Sequence, residues 1–161
     1  MQFAKDSFYM ALRNRLSALN PARTCEVDGE VRPAIVVVEN EAPALSTGMS
    51  DVFYVRWGAL SGAGEKGPGA LECTVEYSTA GTAEAGSLGR GRALAALDCE
   101  LLRICQPASG AKCDFTQLAS TELGTHIFWS APRLGALEVR GQTLWRQAAL
   151  TVFYFAEVEG R

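Results

Sequence analysis

The strongest restriction on the fold comes from the segment Leu71–Tyr77, in which apolar and polar residues alternate without a break. Leucine, cysteine, valine and tyrosine side chains fall on one face of this segment, and glutamate and threonine side chains fall on the other. Such alternation is typical of an antiparallel strand that packs on one side and meets water on the other. The sequence therefore predicts a sheet with one solvated face.

Further strands are predicted where β-branched and aromatic residues cluster. These are residues 34–38, Val52–Trp57, Thr125–Trp129 and Leu144–Val158, with a short strand at Phe115–Leu118. The dipeptide Asp28-Gly29 predicts a tight turn between two short extended pieces. Pro132 and Gly135 mark a turn or bulge after the strand Thr125–Trp129.

Two amphipathic helices accompany these strands. The first is predicted to be capped by Asp6 and to stop at Asn20-Pro21, and the second covers Arg90–Cys105. Because helices are few and do not alternate regularly with strands, a doubly wound parallel sheet is disfavoured. The sequence predicts an α+β fold, with a mainly antiparallel sheet and the two main helices packed on one face.

Length and composition set the class of protein. A chain of 161 residues with 48% hydrophobic residues fits one domain, residues 1–161. Flexible loops are predicted at about 58–70, 78–89 and 106–114, where glycine, proline and polar residues collect. A net charge of −3 gives no overall positive field for sequence-specific nucleic-acid binding. No apolar window is long enough for a signal peptide or a membrane span, so we expect a soluble protein made in the cytoplasm.

Catalytic and metal-binding patterns are weak. His126, the one histidine, has no orienting partner in view, and we expect a half-buried structural side chain. Residues Gly62–Gly67 match G-x-G-x-x-G, but a strand pattern rather than a helix follows, so a dinucleotide site is disfavoured. Glu72 and Glu76 fit solvation of an open sheet face better than acid–base or Mg²⁺ chemistry. No two of the five cysteines form C-x-x-C, and we expect reduced, mostly buried thiols. The sequence predicts a non-enzyme with no catalytic residue, cofactor or metal.

Several arginines and tryptophans are candidates for contacts with other proteins. Gly89-Arg90-Gly91-Arg92 begins the second helix, where the arginines either are solvated or bind an anion or a partner's carboxylate. Trp57, Trp129 and Trp145 all fall on predicted strands, as core residues or as anchors of a subunit contact.

The order of these elements resembles a known family. An N-terminal helix precedes the run Asp28–Val36 and then Glu39-Asn40-Glu41, and the alternating strand, the second helix and the aromatic strand Leu150–Phe155 follow. This arrangement is similar to the small tail-terminator, or tail-completion, proteins of long-tailed bacteriophages. The resemblance covers most of the chain as a pattern of elements, without a signature motif.

The resemblance implies a structural virion protein with an α+β fold. Such a protein is assembled in the bacterial host cytoplasm, resides in the virion tail and forms a ring, expected to be a hexamer. The ring caps the tail tube and joins it to the head connector, so the implied partners are the chain itself, the tail tube protein and the head–tail connector protein, with no membrane. The interface candidates are Arg56, Trp57, Arg90, Arg92, Arg133 and Trp145.

Two other functions remain open at this stage. The first is another head–tail or minor tail component of a phage. The second is a non-phage α+β domain that binds a small ligand or acts as an adaptor for one protein partner.

Overall fold

The protein is described from a computed structural model covering residues 1–41, 48–62, 67–82 and 88–156. The helices are α1 (Gln2–Leu19), α2 (Val38–Glu41) and α3 (Gly89–Ile104). The strands are β1 (Thr24–Val27), β2 (Glu30–Pro33), β3 (Ile35–Val37), β4 (Phe53–Ser61), β5 (Gly69–Thr79), β6 (Ser109–Asp114), β7 (Thr121–Trp129), β8 (Arg133–Leu134), β9 (Glu138–Arg140) and β10 (Thr143–Tyr154).

The strands form two sheets. The larger has the order β3-β4-β5-β10-β7-β6, and the short strands β8 and β9 also pair with β10. The smaller is the hairpin of β1 and β2, which turns through Asp28 and Gly29 at φ values of 52° and 81°. Positive φ at both central positions belongs to the tight hairpin turn that the sequence predicts. Among the described strands, β3 and β4 pair in parallel and the other pairs are antiparallel.

Both long helices contact the buried side chains of the larger sheet. Phe8 of α1 lies edge-on against Trp57 and Trp129, with ring centroids 5.9 and 5.3 Å away. Asp98 of α3 accepts a hydrogen bond from the Tyr77 hydroxyl of β5 at 2.6 Å. The α+β class is thus confirmed. The finer description is confirmed in part, because one strand pair is parallel and the predicted hairpin at Asp28-Gly29 forms a separate sheet. The short helix α2 was not predicted.

The boundaries of the predicted elements need several corrections. The first helix begins at Gln2 instead of Asp6, whose carboxylate accepts a hydrogen bond from the Gln2 side chain at 2.8 Å. The predicted strand at 34–38 ends one residue early, because β3 stops at Val37 and Val38 begins α2. Residues 42–47, which follow α2, are outside the described part of the chain. The second helix begins at Gly89, one residue earlier than predicted.

The predicted loop at 58–70 is mostly strand where it is described. β4 continues to Ser61 across a bulge between Trp57 and Leu60, and β5 begins at Gly69. Residues 63–66 are outside the described part. In the predicted loop at 78–89, Ser78 and Thr79 still belong to β5, and residues 83–87 are not described.

The predicted loop at 106–114 is wrong over Ser109–Asp114, which forms β6. The predicted strand Phe115–Leu118 is wrong as well, because residues 115–120 form no strand. Tertiary contacts hold β6 in place: the Cys113 amide donates to the Ser7 hydroxyl of α1 at 2.9 Å. Buried Lys112 donates to the Phe155 carbonyl at 2.7 Å.

The last strands also differ at their ends. β7 begins at Thr121, four residues before the predicted Thr125. β10 ends at Tyr154, and residues 157–161, which include the end of the predicted strand, are outside the described part. No described helix has both the length and the apolar character needed to cross a membrane.

Candidate functional site

One face of the larger sheet carries side chains that point away from the buried face. We call it the open face. Strand register orders its residues in rows: Arg56, Thr74, Ala149 and Arg133 form one row, and Ser61, Ala70, Phe153, Phe128 and Ser109 form another. Between them, Glu72 is paired with Thr151. Because successive residues of a strand point to opposite faces, this set alternates with the buried core of the same strands.

Small residues at the centre of the open face leave a groove of about 610 Å³. Thr74, Ala149 and Thr151 line it, with Glu72 and Arg133 as its charged members. Neither of these charges forms an ion pair with another described residue. The groove therefore offers a shallow polar floor with charges of both signs.

A depression of about 240 Å³ lies at one end of the open face. Trp145, Tyr54 and Arg56 line it, and Arg56 pairs with Glu76 at 2.9 Å. The Arg140 guanidinium lies 3.7 Å from the centre of the Trp145 ring, which holds the indole in place by a cation–π contact. Burial raises the pKa of the Tyr54 hydroxyl, which accepts a hydrogen bond from a backbone amide at 2.6 Å. This end therefore presents rigid aromatic side chains beside arginines.

Phenylalanines form the other end of the open face. The rings of Phe128 and Phe153 stack with centroids 4.9 Å apart, and Phe155 lies 6.3 Å from Phe128 with 45% of its surface exposed. Sequence reasoning did not select these three residues. The signal that identifies Phe128 and Phe153 is alternation along the strand. They are the sequence neighbours of the buried residues Ile127, Trp129 and Val152, so their side chains point to the other face of the sheet.

The six interface candidates from the sequence do not form one cluster. The structure brings Arg56, Arg133 and Trp145 to the open face. Trp57 lies on the buried side against Phe8, with the Lys5 ammonium 5.4 Å from its ring.

The remaining two candidates lie at the N-terminus of α3. Arg90 donates to the Gln142 carbonyl at 3.2 Å, and Arg92 is exposed. These arginines therefore border the turn that leads into β10, away from the groove.

His126 is exposed instead of half-buried, because it shares the outward-pointing set of β7 with Phe128. Within the described residues its ring makes no hydrogen bond to an acid, thiol or hydroxyl. No group of three or more His, Cys, Asp or Glu side chains in the described ranges is placed to hold a metal ion.

The five cysteines are free thiols, of which Cys25, Cys73 and Cys105 are buried. Burial raises the pKa of the Cys105 thiol to about 12 and that of Cys73 further. A protonated, inaccessible thiol is a poor nucleophile. Of the G-x-G-x-x-G segment, residues 63–66 are not described, and the strand β5 follows it.

The fold and the open face define an α+β protein with an uncovered sheet surface built from aromatic rings, small residues and both signs of charge. Such a surface is suited to binding another protein. Comparison of the sequence with models of protein families and with curated proteins finds no match.

Proposed function

We propose that this chain is the tail-terminator, or tail-completion, subunit of a long-tailed phage particle. In this role it forms a ring, with six copies as the expected number, that caps the tail tube and joins it to the head connector. The observation that carries the proposal is the open face, where half-buried aromatic side chains lie on the same surface as Glu72 and Arg133, which form no ion pair with a described residue. The proposal also includes a mainly antiparallel sheet whose buried face is covered by the two helices α1 and α3.

The composition of the open face supports an assembly surface. Aromatic residues and arginine are enriched at protein interfaces and supply most of the binding energy there. Trp145 and the pair Phe128–Phe153 are only half-buried in the isolated chain. Covering them removes apolar surface from water, which is the usual driving force for association. We therefore assign the open face to contact with the last ring of the tail tube.

The mechanism that follows is geometric. A closed ring fixes its own subunit number through the angle of one heterologous contact. Once bound to the end of the tube, the ring covers the surface on which the next tube ring would assemble, so growth stops at a defined length. The opposite side of the ring remains available to the head–tail connector.

Co-assembly with a tube protein tests this function. The tube protein is the one encoded nearest to the gene for this chain, and it is polymerised with and without the purified protein. We expect wild-type protein to stop elongation and to be found at tube ends by electron microscopy. The variant Trp145→Ala/Phe153→Ala removes rings from the open face and should lose end binding.

Leu118→Ala is the matched control, because Leu118 is fully exposed and lies outside the open face. We expect it to cap tubes as wild type does. Unchanged elongation with wild-type protein, or the absence of any tube gene near this one, contradicts the proposal. A protein that binds the side of the tube or the connector alone would be another head–tail or minor tail component, and a monomer that binds one unrelated partner would be an adaptor.

A further inference from the structure

We propose that the β1–β2 hairpin of one copy binds in a groove between the C-terminal ends of α1 and α3 of the next copy. The inference rests on the proposed ring and supplies the contact that would join its subunits. The open face, assigned above to the tube, takes no part in it.

The hairpin is an apolar knob surrounded by negative charge. Its outer residues Glu26, Asp28 and Glu30 are exposed, and Val31, which pairs with Glu26 across the hairpin, has 68% of its surface exposed. None of the three carboxylates forms an ion pair with another described residue. Val31 therefore lies beside Glu26 across the hairpin and next to Glu30 along β2, where another chain can cover it.

The hairpin is firmly held at both ends. At the turn end Val27 is 5% exposed, and at the base Arg23, just before β1, pairs with Glu100 of α3 at 2.5 Å. Arg32 pairs with Glu41 of α2. The hairpin therefore presents its outer residues in a fixed position, which reduces the entropy lost on binding.

The groove between the helix ends, which is distinct from the groove on the open face, has a volume of about 520 Å³ and an apolar floor. Its apolar lining comprises Ala18, Leu19, Ile104, Pro107 and Ala108. The charged members of the lining are Arg15 and Arg103, and no acidic residue is among the described residues that line it.

One of these arginines is fixed and the other is free to pair. The Arg15 guanidinium donates to the carbonyls of Ile104 and Gln106, both at 2.9 Å, and lies 4.9 Å from the Trp129 ring centre. Arg103 is exposed and forms no ion pair with a described residue. Neither guanidinium forms an ion pair with a carboxylate among the described residues.

The two surfaces are complementary in charge and in polarity. Two arginines beside an apolar floor face three carboxylates around an exposed valine. Opposite charges across an interface fix its register and speed association, while apolar burial supplies affinity. Because the hairpin and the groove are different surfaces of the chain, their contact is heterologous, as a ring requires.

Charge reversal tests this contact. The oligomeric state is measured by analytical ultracentrifugation and mass photometry for wild type, Glu30→Lys, Arg103→Glu and the double variant. Juxtaposed like charges should weaken self-association at least about tenfold in each single variant. The double variant restores opposite signs and should recover much of the loss. Glu122→Lys is the control, since Glu122 is exposed on β7 away from both surfaces.

A second measurement identifies the touching residues. In a Cys99→Ser background, Val31→Cys with Ala18→Cys should give a ladder of disulfide-linked oligomers under mild oxidation. Val31→Cys with Thr121→Cys serves as the control pair and should not. Far-ultraviolet circular dichroism confirms that each variant is folded.

Several outcomes overturn the inference. They are wild-type protein that stays monomeric at high concentration, single variants that associate like Glu122→Lys, and cross-linking that stops at a dimer. If the single charge-reversal variants still form oligomers but no longer cap tubes, the hairpin contacts the tube instead of the neighbouring subunit. If wild-type protein caps tubes in any of these cases, only the hairpin contact is contradicted and the proposed function is kept. If an intact ring fails to cap tubes, the proposed function is contradicted and the hairpin contact is kept.

Discussion

Buried thiols make the stability of this protein depend on pH on the alkaline side. Burial raises the pKa of Cys105 from 9.0 to about 12 and raises that of Cys73 further, while the unfolded chain keeps the ordinary value. The stabilisation is complete below pH 9.0 and is lost as the pH rises toward the native pKa, because only the unfolded state releases these protons. We expect the free energy of unfolding in urea to fall between pH 9 and 10.5 by up to about 1.4 kcal/mol per pH unit for each group.

Cys105→Ala should make that decline shallower, even though the cavity lowers stability at every pH. Cys99→Ala, at an exposed position, should leave the slope as in wild type. Equal slopes in wild type and Cys105→Ala would contradict the role of the buried thiol.

The carboxylate of Asp98 joins α3 to two strands. It accepts hydrogen bonds from the Tyr77 hydroxyl at 2.6 Å and from the Arg146 guanidinium at 3.0 Å, all partly buried. Asp98→Ala leaves both donors without their acceptor, and we expect a loss of about 2–4 kcal/mol in the free energy of unfolding. Glu138→Ala breaks the exposed pair with Arg140 and should cost less than about 1 kcal/mol. Urea denaturation measures the free energy of unfolding of the two variants. Similar losses in both would show that the Asp98 contacts contribute little to stability.

The junction between β5 and α3 depends on a glycine. Gly81 has φ of +77°, and a Cβ there would lie 2.8 Å from the backbone nitrogen of Arg90. Gly141 has φ of +60° but open space where its Cβ would be, so it is the matched control. We expect Gly141→Ala to cost about 1–2 kcal/mol for the left-handed conformation alone. Gly81→Ala should cost about 1–3 kcal/mol more, because backbone must also move. Thermal unfolding that ranks the two alike would argue against this close approach.

Elements with a strong local pattern could be predicted from the sequence. The strand at Leu71–Tyr77 and the helix at Arg90–Cys105 match β5 and α3 closely, because their apolar residues repeat with the periods of those structures. The Asp28-Gly29 turn was likewise fixed by local chemistry.

The elements that were missed depend on distant partners. β6 has the sequence SGAKCD, which lacks branched and aromatic side chains. It forms a strand through pairing with β7 and through the hydrogen bond that the Cys113 amide donates to the Ser7 hydroxyl. β4 crosses Gly58, where the absence of a side chain allows a close approach to Glu72, because a Cβ at position 58 would lie 3.3 Å from the Glu72 Cβ. Propensity alone reads both segments as loops.

The candidate surfaces were predictable only in part for the same reason. Alternation along β7 and β10 shows which aromatic residues share a face, so Phe128 and Phe153 could have been chosen with Trp145. The groove beside Arg15 and Arg103 exists only because the ends of α1 and α3 meet. No local sequence pattern predicts that contact between helix ends. Trp57 shows the opposite case, because it was chosen as an interface candidate but packs against Phe8 on the buried side of the sheet.

At the scale of the whole molecule, two surfaces carry two separable properties. The hairpin and its groove are assigned to ring formation, and the open face is assigned to the tube. Trp145→Ala/Phe153→Ala should therefore leave the mass of the oligomer unchanged while abolishing tube capping. Glu30→Lys should weaken self-association at least about tenfold and leave the open face intact, so that at concentrations where this variant is monomeric its single subunits still bind tube ends.

Binding by single subunits should be much weaker than binding by the ring. Joining several sites in one ring raises the apparent affinity by about 10²–10⁴-fold through effective concentration, without any new contact. We therefore expect Glu30→Lys to stop tube growth only at concentrations higher than wild type by a factor of that order. The measurement is tube length against protein concentration in electron micrographs. If both variants lost the oligomer, or if both capped tubes equally well, the hairpin and the open face would not be independent surfaces, because one contact would then serve both steps.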